Sequence, residues 1–376
     1  MARSLDVCIR GAGIVGRTLA LLLAGERLRV GLISTPHEQP DSTTDVRAYA
    51  LNAQSRALLE SVRCWPDETS ATPVLGMHVR GDDGGEVNFR AADQGTPALA
   101  WIVDVAALQT RLIEAIRFQP LIEELTEPQS AALTVVCEGK TSRTRTEFGV
   151  EFDVTPYGQR AIAARVNCEK PHQQLAHQWF SKGEILAFLP LNGEAGNSMA
   201  LVWSVMEARV EPLMSLSAQE FTQALQEASH GVVGGLTLTS ERATWPLQLA
   251  RANRWVGEAG GRSWALAGDA AHTVHPLSGQ GLNLGLADVD KLVQALKARE
   301  KAQDYWRSVG DQRLLRQYER ARKAEVMSVG FTTDGLQQLF AQGAMPWPTV
   351  RNWGMNGFDA SGVVKKWVVR QAMGLR

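Results

Sequence analysis

Two glycine-rich stretches carry residue types whose spacing can do chemistry. Gly11-Ala12-Gly13-Ile14-Val15-Gly16 is a G-x-G-x-x-G placed between an apolar strand-like run and an apolar helical run. Glycine there permits a tight turn, close approach of backbone to a phosphate, and close helix–strand packing, so that an anion sits at the positive end of the helix. The pattern in that βαβ setting points to dinucleotide binding; outside that setting it would be a plain glycine turn. The second stretch is Gly268-Asp269-Ala270-Ala271-His272, running through Pro276 to Gly279-Gln280-Gly281-Leu282-Asn283-Leu284-Gly285 and Asp288. It reads as a strand feeding a carboxylate, then a proline-shaped loop, then a glycine-rich helix start. The carboxylate can accept bonds from a polyol hydroxyl, and the helix start can hold negative charge. Asp269, His272 and His275 also form an Asp-x-x-His-x-x-His, but the glycines account for the segment without a metal, and no metal is expected.

The elements that must position these residues follow from the apolar pattern. Asp6–Arg10 and Arg29–Ile33 read as buried strands flanking a helix over Val15–Gly25. Ser55–Leu59 and Val105–Ile116 read as helices, Val74–Ala100 as hairpins broken by glycines, and Leu133–Cys137 as a third buried strand. From Glu147 to Thr244 short alternating segments (Ala161–Val166, Leu186–Leu191, Met199–Val205) point to an antiparallel sheet interrupted by a helix over Ser217–Ser229. Trp264–Ala267 is again a buried strand, Gly281–Ala298 a helix, and the chain from Tyr305 onward mostly helical. The order is α/β, a β-rich insertion, a return to α/β, and a helical tail.

The 376 residues exceed one compact core, and 44% hydrophobic with 21% charged positions is globular composition. With 39 Lys+Arg against 40 Asp+Glu there is no electrostatic case for nucleic acid. Four scattered cysteines without a C-x-x-C, no basic-then-apolar leader at Met1–Asp6, and no apolar window of the roughly 18–20 residues a span needs predict a reduced cytoplasmic protein. Val363–Met373 is a basic amphipathic stretch with Trp367. It fits a terminal helix packed on the body, or one lying on an anionic membrane surface such as the inner membrane. Trp306, Trp347 and Trp353 read as core or interface residues.

The Gly268–Asp288 stretch resembles the second FAD fingerprint of the flavoprotein aromatic hydroxylases of the p-hydroxybenzoate hydroxylase fold, and within them the ubiquinone-biosynthesis hydroxylases. Asp45-Val46-Arg47-Ala48-Tyr49-Ala50-Leu51 resembles that family's D-x-R-x-x-A-L. Tyr157-Gly158-Gln159, Leu189-Pro190-Leu191, Tyr318-Glu319-Arg320, Thr333-Asp334-Gly335-Leu336, Phe340 and Arg370–Gly374 resemble later parts, so the likeness covers nearly the whole chain. It implies a Rossmann-like FAD-binding domain interrupted by an antiparallel substrate domain, with a helical C-terminal tail. The corresponding divisions are 1–73, 101–146 and 246–300 for the FAD part, 74–100 and 147–245 for the substrate part, and 301–376 for the tail. It also implies roles. Gly11, Gly13 and Gly16 cradle the pyrophosphate, Arg47 neutralises it, and Gln109 approaches it. Asp269 bonds the ribitol, while Pro276, Gly279, Gln280, Gly281, Leu282 and Asn283 line the flavin. The implied activity is hydroxylation of a phenolic, polyprenylated quinone precursor through a C4a-hydroperoxyflavin, with O₂ and NAD(P)H as transient co-substrate.

Three departures fall on the cofactor side. The second strand ends in Ser34-Thr35 where an acid usually binds the ribose, with Glu38 further along. Glu138-Gly139-Lys140-Thr141-Ser142-Arg143-Thr144-Arg145 replaces the family's D-G-x-x-S-x-x-R, and the extra methylene loosens a placed contact. Only Arg117–Ala132 separates Ile116 from Leu133, a short flank. These departures leave two other readings open: a flavin-poor accessory or ligand-binding subunit of a hydroxylase complex, and a flavin-dependent reductase on the same fold. A halogenase is unsupported, since W-x-W-x-I-P is missing. No general base is marked by spacing; His172, His177 and Tyr157 are the groups the substrate sheet offers. Oligomeric state is not fixed by the sequence.

Overall fold

The computed structural model describes residues 4–34, 45–81, 84–274, 280–301 and 307–341. The chain opens as a βαβ unit: β1 (Leu5–Arg10), α1 (Ile14–Gly25) and β2 (Val30–Ile33). Then come β3 (Ala48–Leu51), α2 (Ala53–Ser61), β4 (Ala71–Val74), β5 (Gly76–Arg80), β6 (Glu86–Arg90), β7 (Ala100–Asp104) and α3 (Val105–Arg117). β8 (Ile122–Leu125), β9 (Ala131–Val136) and α4 (Arg143–Glu147) lead into β10 (Phe152–Cys168), β11 (Leu175–Ser181), β12 (Glu184–Pro190) and β13 (Ser198–Met206). Helices α5 (Val210–Ser215) and α6 (Ala218–Ala228) precede β14 (Leu236–Leu238), β15 (Ala243–Ala252), β16 (Val256–Ala259), β17 (Arg262–Leu266) and β18 (His272–Thr273). The chain then forms α7 (Gln280–Lys301) and α8 (Gln312–Ala341).

A six-stranded sheet has the order β16-β17-β9-β1-β2-β8, parallel throughout except for the β16–β17 pair. Its central strands are apolar on both faces, as a sheet covered by helices requires. Val7, Ile9, Leu133, Val135 and Leu266 pack with Leu19 and Leu23 of α1 and with Leu286 and Leu292 of α7 in one core. A nine-stranded sheet runs β18-β15-β10-β13-β12-β11-β5-β6, with β14 on β10. Alternation sorts its faces. Ile162, Ala164, Val166, Leu201 and Trp203 pack under Phe221 and Leu225 of α6. Ala200, Ala176 and Leu191 face the other way, against Val74 and Ile102 of a small third sheet, β3-β7-β4.

Of the hairpins expected between Val74 and Ala100, one forms, β5 with β6. β4 pairs instead with β7, matching Ala71 to Val103, so this stretch is divided between two sheets. The short flank 117–132 supplies β8, a single edge strand parallel to β2. Among the described residues, side chains close the starts of α2 (Asn52), α3 (Asp104), α4 (Ser142), α6 (Ser217 with Glu220 in a capping box) and α8 (Asp311, accepting from Arg313 N–H at 2.8 Å). Cys8, Cys64, Cys137 and Cys168 are free and buried.

Candidate cofactor site

The carboxyl ends of β1, β9 and β17 stand side by side. Cys137 N–H donates to the Arg10 carbonyl at 2.7 Å, and Ala267 N–H to the Val136 carbonyl at 3.0 Å. This is where open parallel sheets take ligands. Gly11 turns the chain with φ +111°, and a Cβ on it would lie 2.5 Å from the Cys137 carbonyl carbon. A Cβ on Gly16 would lie 1.9 Å from the Gly11 oxygen, so α1 touches the turn itself. Gly13 differs: nothing lies within 4 Å of its Cβ position. It begins α1 without a side-chain cap, unlike α2, α3, α4 and α6. Open space, a positive helix end and uncapped N–H groups together suit a phosphate.

The second fingerprint closes on the same place. Gly268 has φ +64°, and its Cβ position is 3.3 Å from Val15 of α1, while Gly285 of α7 would meet the same Val15 at 2.9 Å. Asp269 is half-buried, and no hydrogen bond reaches its carboxylate among the described residues. Burial pushes that carboxyl above its ordinary value, against the pull of Lys140, His272 and Arg47. Among the described residues Asp269 is therefore an acceptor without a donor. Arg47 is gripped by Asp45 through Nε at 2.8 Å and a terminal nitrogen at 2.7 Å, which raises its pKa and fixes its charge near Asp269 and Tyr49. Burial raises the Tyr49 phenol in turn. Gln109 on α3 has a buried side-chain oxygen without a partner among the described residues. Arg165 of β10 ties this corner to the nine-stranded sheet, donating to Asp104 at 2.5 Å and to the Asp45 carbonyl at 3.3 Å.

The start of α7 divides its labour. A Cβ on Gly281 would meet nothing within 4 Å, and Leu282 packs on the core. Asn283 was expected to line the flavin, but its amide points inward. Its oxygen accepts from Asn52 N–H at 3.0 Å and Ser55 Oγ at 2.7 Å, and its nitrogen donates to the Ala50 carbonyl at 2.8 Å. Gln280 is the first residue of α7. Thr35, Glu38, His275, Pro276, Gly279 and the three tryptophans 306, 347 and 353 lie outside the described residues, as does Val363–Met373.

Glu138 is held within its own loop. It accepts from Ser142 Oγ at 2.7 Å, Thr144 N–H at 3.1 Å and Thr144 Oγ1 at 2.5 Å, with Arg10 at 3.3 Å. Burial pushes its pKa up, but these bonds outweigh that and hold it below the ordinary value. The longer side chain is thus used inside the loop that turns at Gly139, φ +80°. Arg145 ends the motif by donating to the Ala270 carbonyl at 3.1 Å and the Lys140 carbonyl at 2.8 Å, stacked 3.6 Å over Phe152. Ser34 N–H donates to the Leu125 carbonyl at 3.4 Å.

The histidines offered as bases are elsewhere. His172 is satisfied on both nitrogens, by the Leu191 carbonyl at 2.8 Å and Gln174 N–H at 3.0 Å. His177 stacks on Trp179 on the α6 side of the sheet, and burial, His78 and Arg80 lower its pKa to about 4. Tyr157 sits where β10 shifts register between Pro156 and Arg160. What spacing does not reveal is a buried ion cluster behind the second turn. Asp288 accepts from Gly268 N–H at 2.8 Å, His272 Nε2 at 2.7 Å and Arg322 Nε at 2.7 Å.

Residues 121–330, more than half of the chain, match the family model described as FAD binding domain. The chain is 28% identical to 3-demethoxyubiquinol 3-hydroxylase of Escherichia coli, covering 98% of each. It is 29% identical to ubiquinone hydroxylase UbiL of Rhodospirillum rubrum, over 98% of this chain and 89% of the other. The crystal structure of p-nitrophenol 4-monooxygenase PnpA from Pseudomonas putida shares the fold, with TM-score 0.76 and 18% identity over 100% of both chains. No helix among the described residues is long and apolar enough to cross a membrane. The match over residues 121–330, which takes in the Gly268–Asp288 stretch, shows that the chain belongs to the FAD binding domain family.

Proposed function

We propose that this chain is an FAD-dependent monooxygenase that hydroxylates a phenolic ring, in the manner of the ubiquinone hydroxylases it is similar to, with NAD(P)H and O₂ as co-substrates. The observation that supports the reading is that the α1 start, which has no side-chain cap, faces the turn bearing Asp269, since a Cβ on Gly268 would lie 3.3 Å from Val15 of α1, and that among the described residues no hydrogen bond reaches the Asp269 carboxylate. These groups fit FAD: backbone N–H groups from Gly13 onward take the pyrophosphate, Arg47 adds positive charge, and Asp269 accepts from a sugar-alcohol hydroxyl. The α7 start beginning at Gln280 offers its N–H groups to negative charge on the ring system. Bound FAD supplies hydride acceptance and oxygen activation. The protein's share is placement and dryness. Ala161, Ala163 and Ala200, on the face of the nine-stranded sheet turned away from α6, are buried small apolar side chains, and Ala200 packs there against Val74 and Ile102 of the third sheet.

One alternative has an observation behind it. Ser34 in place of an acid, with Glu138 committed to its own loop, favours a flavin-poor accessory subunit. Flavin absorbance of the purified protein, before and after loading with FAD and desalting, separates the two. Retained flavin that NADH or NADPH bleaches, with O₂ consumed when a phenolic quinone precursor is added, is the expected result. A colourless protein that cannot be loaded would overturn the proposal.

A further inference from the structure

Behind the Gly268–His272 turn lies a buried ion cluster that no cofactor contact requires. Asp288 and Arg322 are 0% and 1% exposed, and His272 is 2% exposed. The carboxylate of Asp288 is divided between two elements. One oxygen takes Gly268 N–H and His272 Nε2; the other takes Arg322 Nε. Burial alone would raise this carboxyl, but His272 and Arg322 overcome it and hold it ionised. Arg322 belongs to α8, and its remaining nitrogens donate to the Leu284 carbonyl at 3.1 Å and to Glu325.

α8 reaches the same turn with two more side chains on the same face, since positions 318, 319 and 322 lie within one helical turn. Tyr318 Oη donates to the Leu266 carbonyl at 2.7 Å, at the end of the strand that feeds the turn. Glu319 accepts from Trp255 N–H at 2.8 Å, and Trp255 stacks on His272 with 4.9 Å between ring centres. One face of α8 therefore fixes the strand end, the turn and the aromatic backing of the turn.

We propose that Arg322 is a positioning residue for the cofactor: through Asp288 it sets the turn that carries Asp269, so that docking of α8 and holding of FAD are coupled. The inference rests on the FAD reading above. The physical reason is that a carboxylate with no solvent must keep its partners. Without Arg322, Asp288 Oδ1 is an undercompensated buried charge, and any movement of the carboxylate toward a new counter-group or water pulls on the Gly268 N–H held by its other oxygen. Gly268 adjoins Asp269, and displacements near 1 Å at a placed group are enough to matter.

The test uses the full chain as wild type, Arg322→Met, Arg322→Lys and the double variant Arg322→Met with Asp288→Asn. Two readouts are taken: the FAD Kd by flavin fluorescence, and hydrogen exchange of the peptide spanning the 262–273 turn in FAD-free protein. Arg322→Met is expected to weaken FAD by about tenfold or more and to speed exchange at the turn, as loss of a supporting charge partner does. Removing the orphaned charge in the double variant should return Kd to within about threefold of wild type. A Met variant that melts earlier yet binds FAD like wild type, or a double variant no better than the single one, overturns the inference and makes Arg322 a packing residue. If Arg322→Met does not fold, Arg322→Lys decides. It keeps the charge but loses the planar fork, so weaker FAD binding at unchanged circular dichroism supports the coupling and an unchanged Kd refutes it. A wild type that holds no FAD is a separate result, which overturns the functional reading beneath.

Discussion

Alanine at Gly13 and at Gly16 tests two different demands made on glycines three residues apart. At Gly16 the added Cβ would lie 1.9 Å from the Gly11 oxygen, and ordinary contact begins near 3.4 Å. The start of α1 must therefore retreat by about 1.5 Å from β1, which costs about 1–3 kcal/mol as overpacking and carries the N–H groups off their target. At Gly13 the Cβ would meet nothing within 4 Å, and φ is −72°, so the fold loses no more than about 1 kcal/mol of helix-start preference. On the proposed FAD reading, that empty space is where the pyrophosphate comes. Losing one charge-assisted bond of about 1.5–3 kcal/mol there raises the FAD Kd by about 10–100-fold. Gly25→Ala is the control: its Cβ also meets nothing, but at the far end of α1, so stability rises slightly and FAD is unaffected. Thermal melts and fluorescence titrations of the three variants give the comparison. A Gly13→Ala protein with wild-type FAD affinity would refute the placement of the cofactor, whatever Gly16→Ala does.

Asp269→Asn should lose FAD on desalting while the FAD-free protein becomes more stable near neutral pH. The folded pKa of Asp269 is raised, so its ionisation opposes folding as pH rises through that value, and the two proteins' melting points should converge as pH falls toward 4. Glu138→Gln should destabilise by about 1–2 kcal/mol, read as a shift in urea midpoint, because it weakens bonds from Ser142 and Thr144 and leaves Arg10 with Glu147 alone. His177, lowered from 6.5 to about 4, binds its proton more readily unfolded, so stability is full above the unfolded value and falls as pH drops through that window, by about 3 kcal/mol at most. His177→Phe should flatten that acid-side slope in melts between pH 4 and 7; an unchanged slope would move the acid sensitivity to other groups.

The opening βαβ unit was legible because its demands are local: a fully buried strand needs an unbroken apolar run, and the glycines between β1 and α1 each answer to atoms a few residues away or at the next strand's end. Pairing partners were not. Ala71–Val74 and Ala100–Asp104 have the same short apolar texture as the true hairpin of β5 and β6, and a period of two cannot say that Ala71 faces Val103. Likewise the alternation over Ala161–Val166 marked only the later part of what is a 17-residue strand, Phe152–Cys168. The backbone continues through a register shift between Pro156 and Arg160, which is where a sheet tolerates proline.

The same division governs the site. Asp269 could be singled out because a strand, a turn and a helix start surround it in sequence. Arg322 could not, because its partner Asp288 lies 34 residues back on another helix. Nor could the partnership of Asn283 with Ala50 and Asn52 be read, across more than 230 positions. Glu138 shows the limit most sharply. That it departs from the Asp of the resembling motif is visible in one letter, and weakened cofactor contact is the natural deduction if the carboxylate faces the cofactor. It faces Ser142 and Thr144 instead, where the extra methylene lets one carboxylate reach both the N-cap and the first turn of α4. A substitution's chemistry is written in the sequence, but its direction in space is set by the neighbours that receive it.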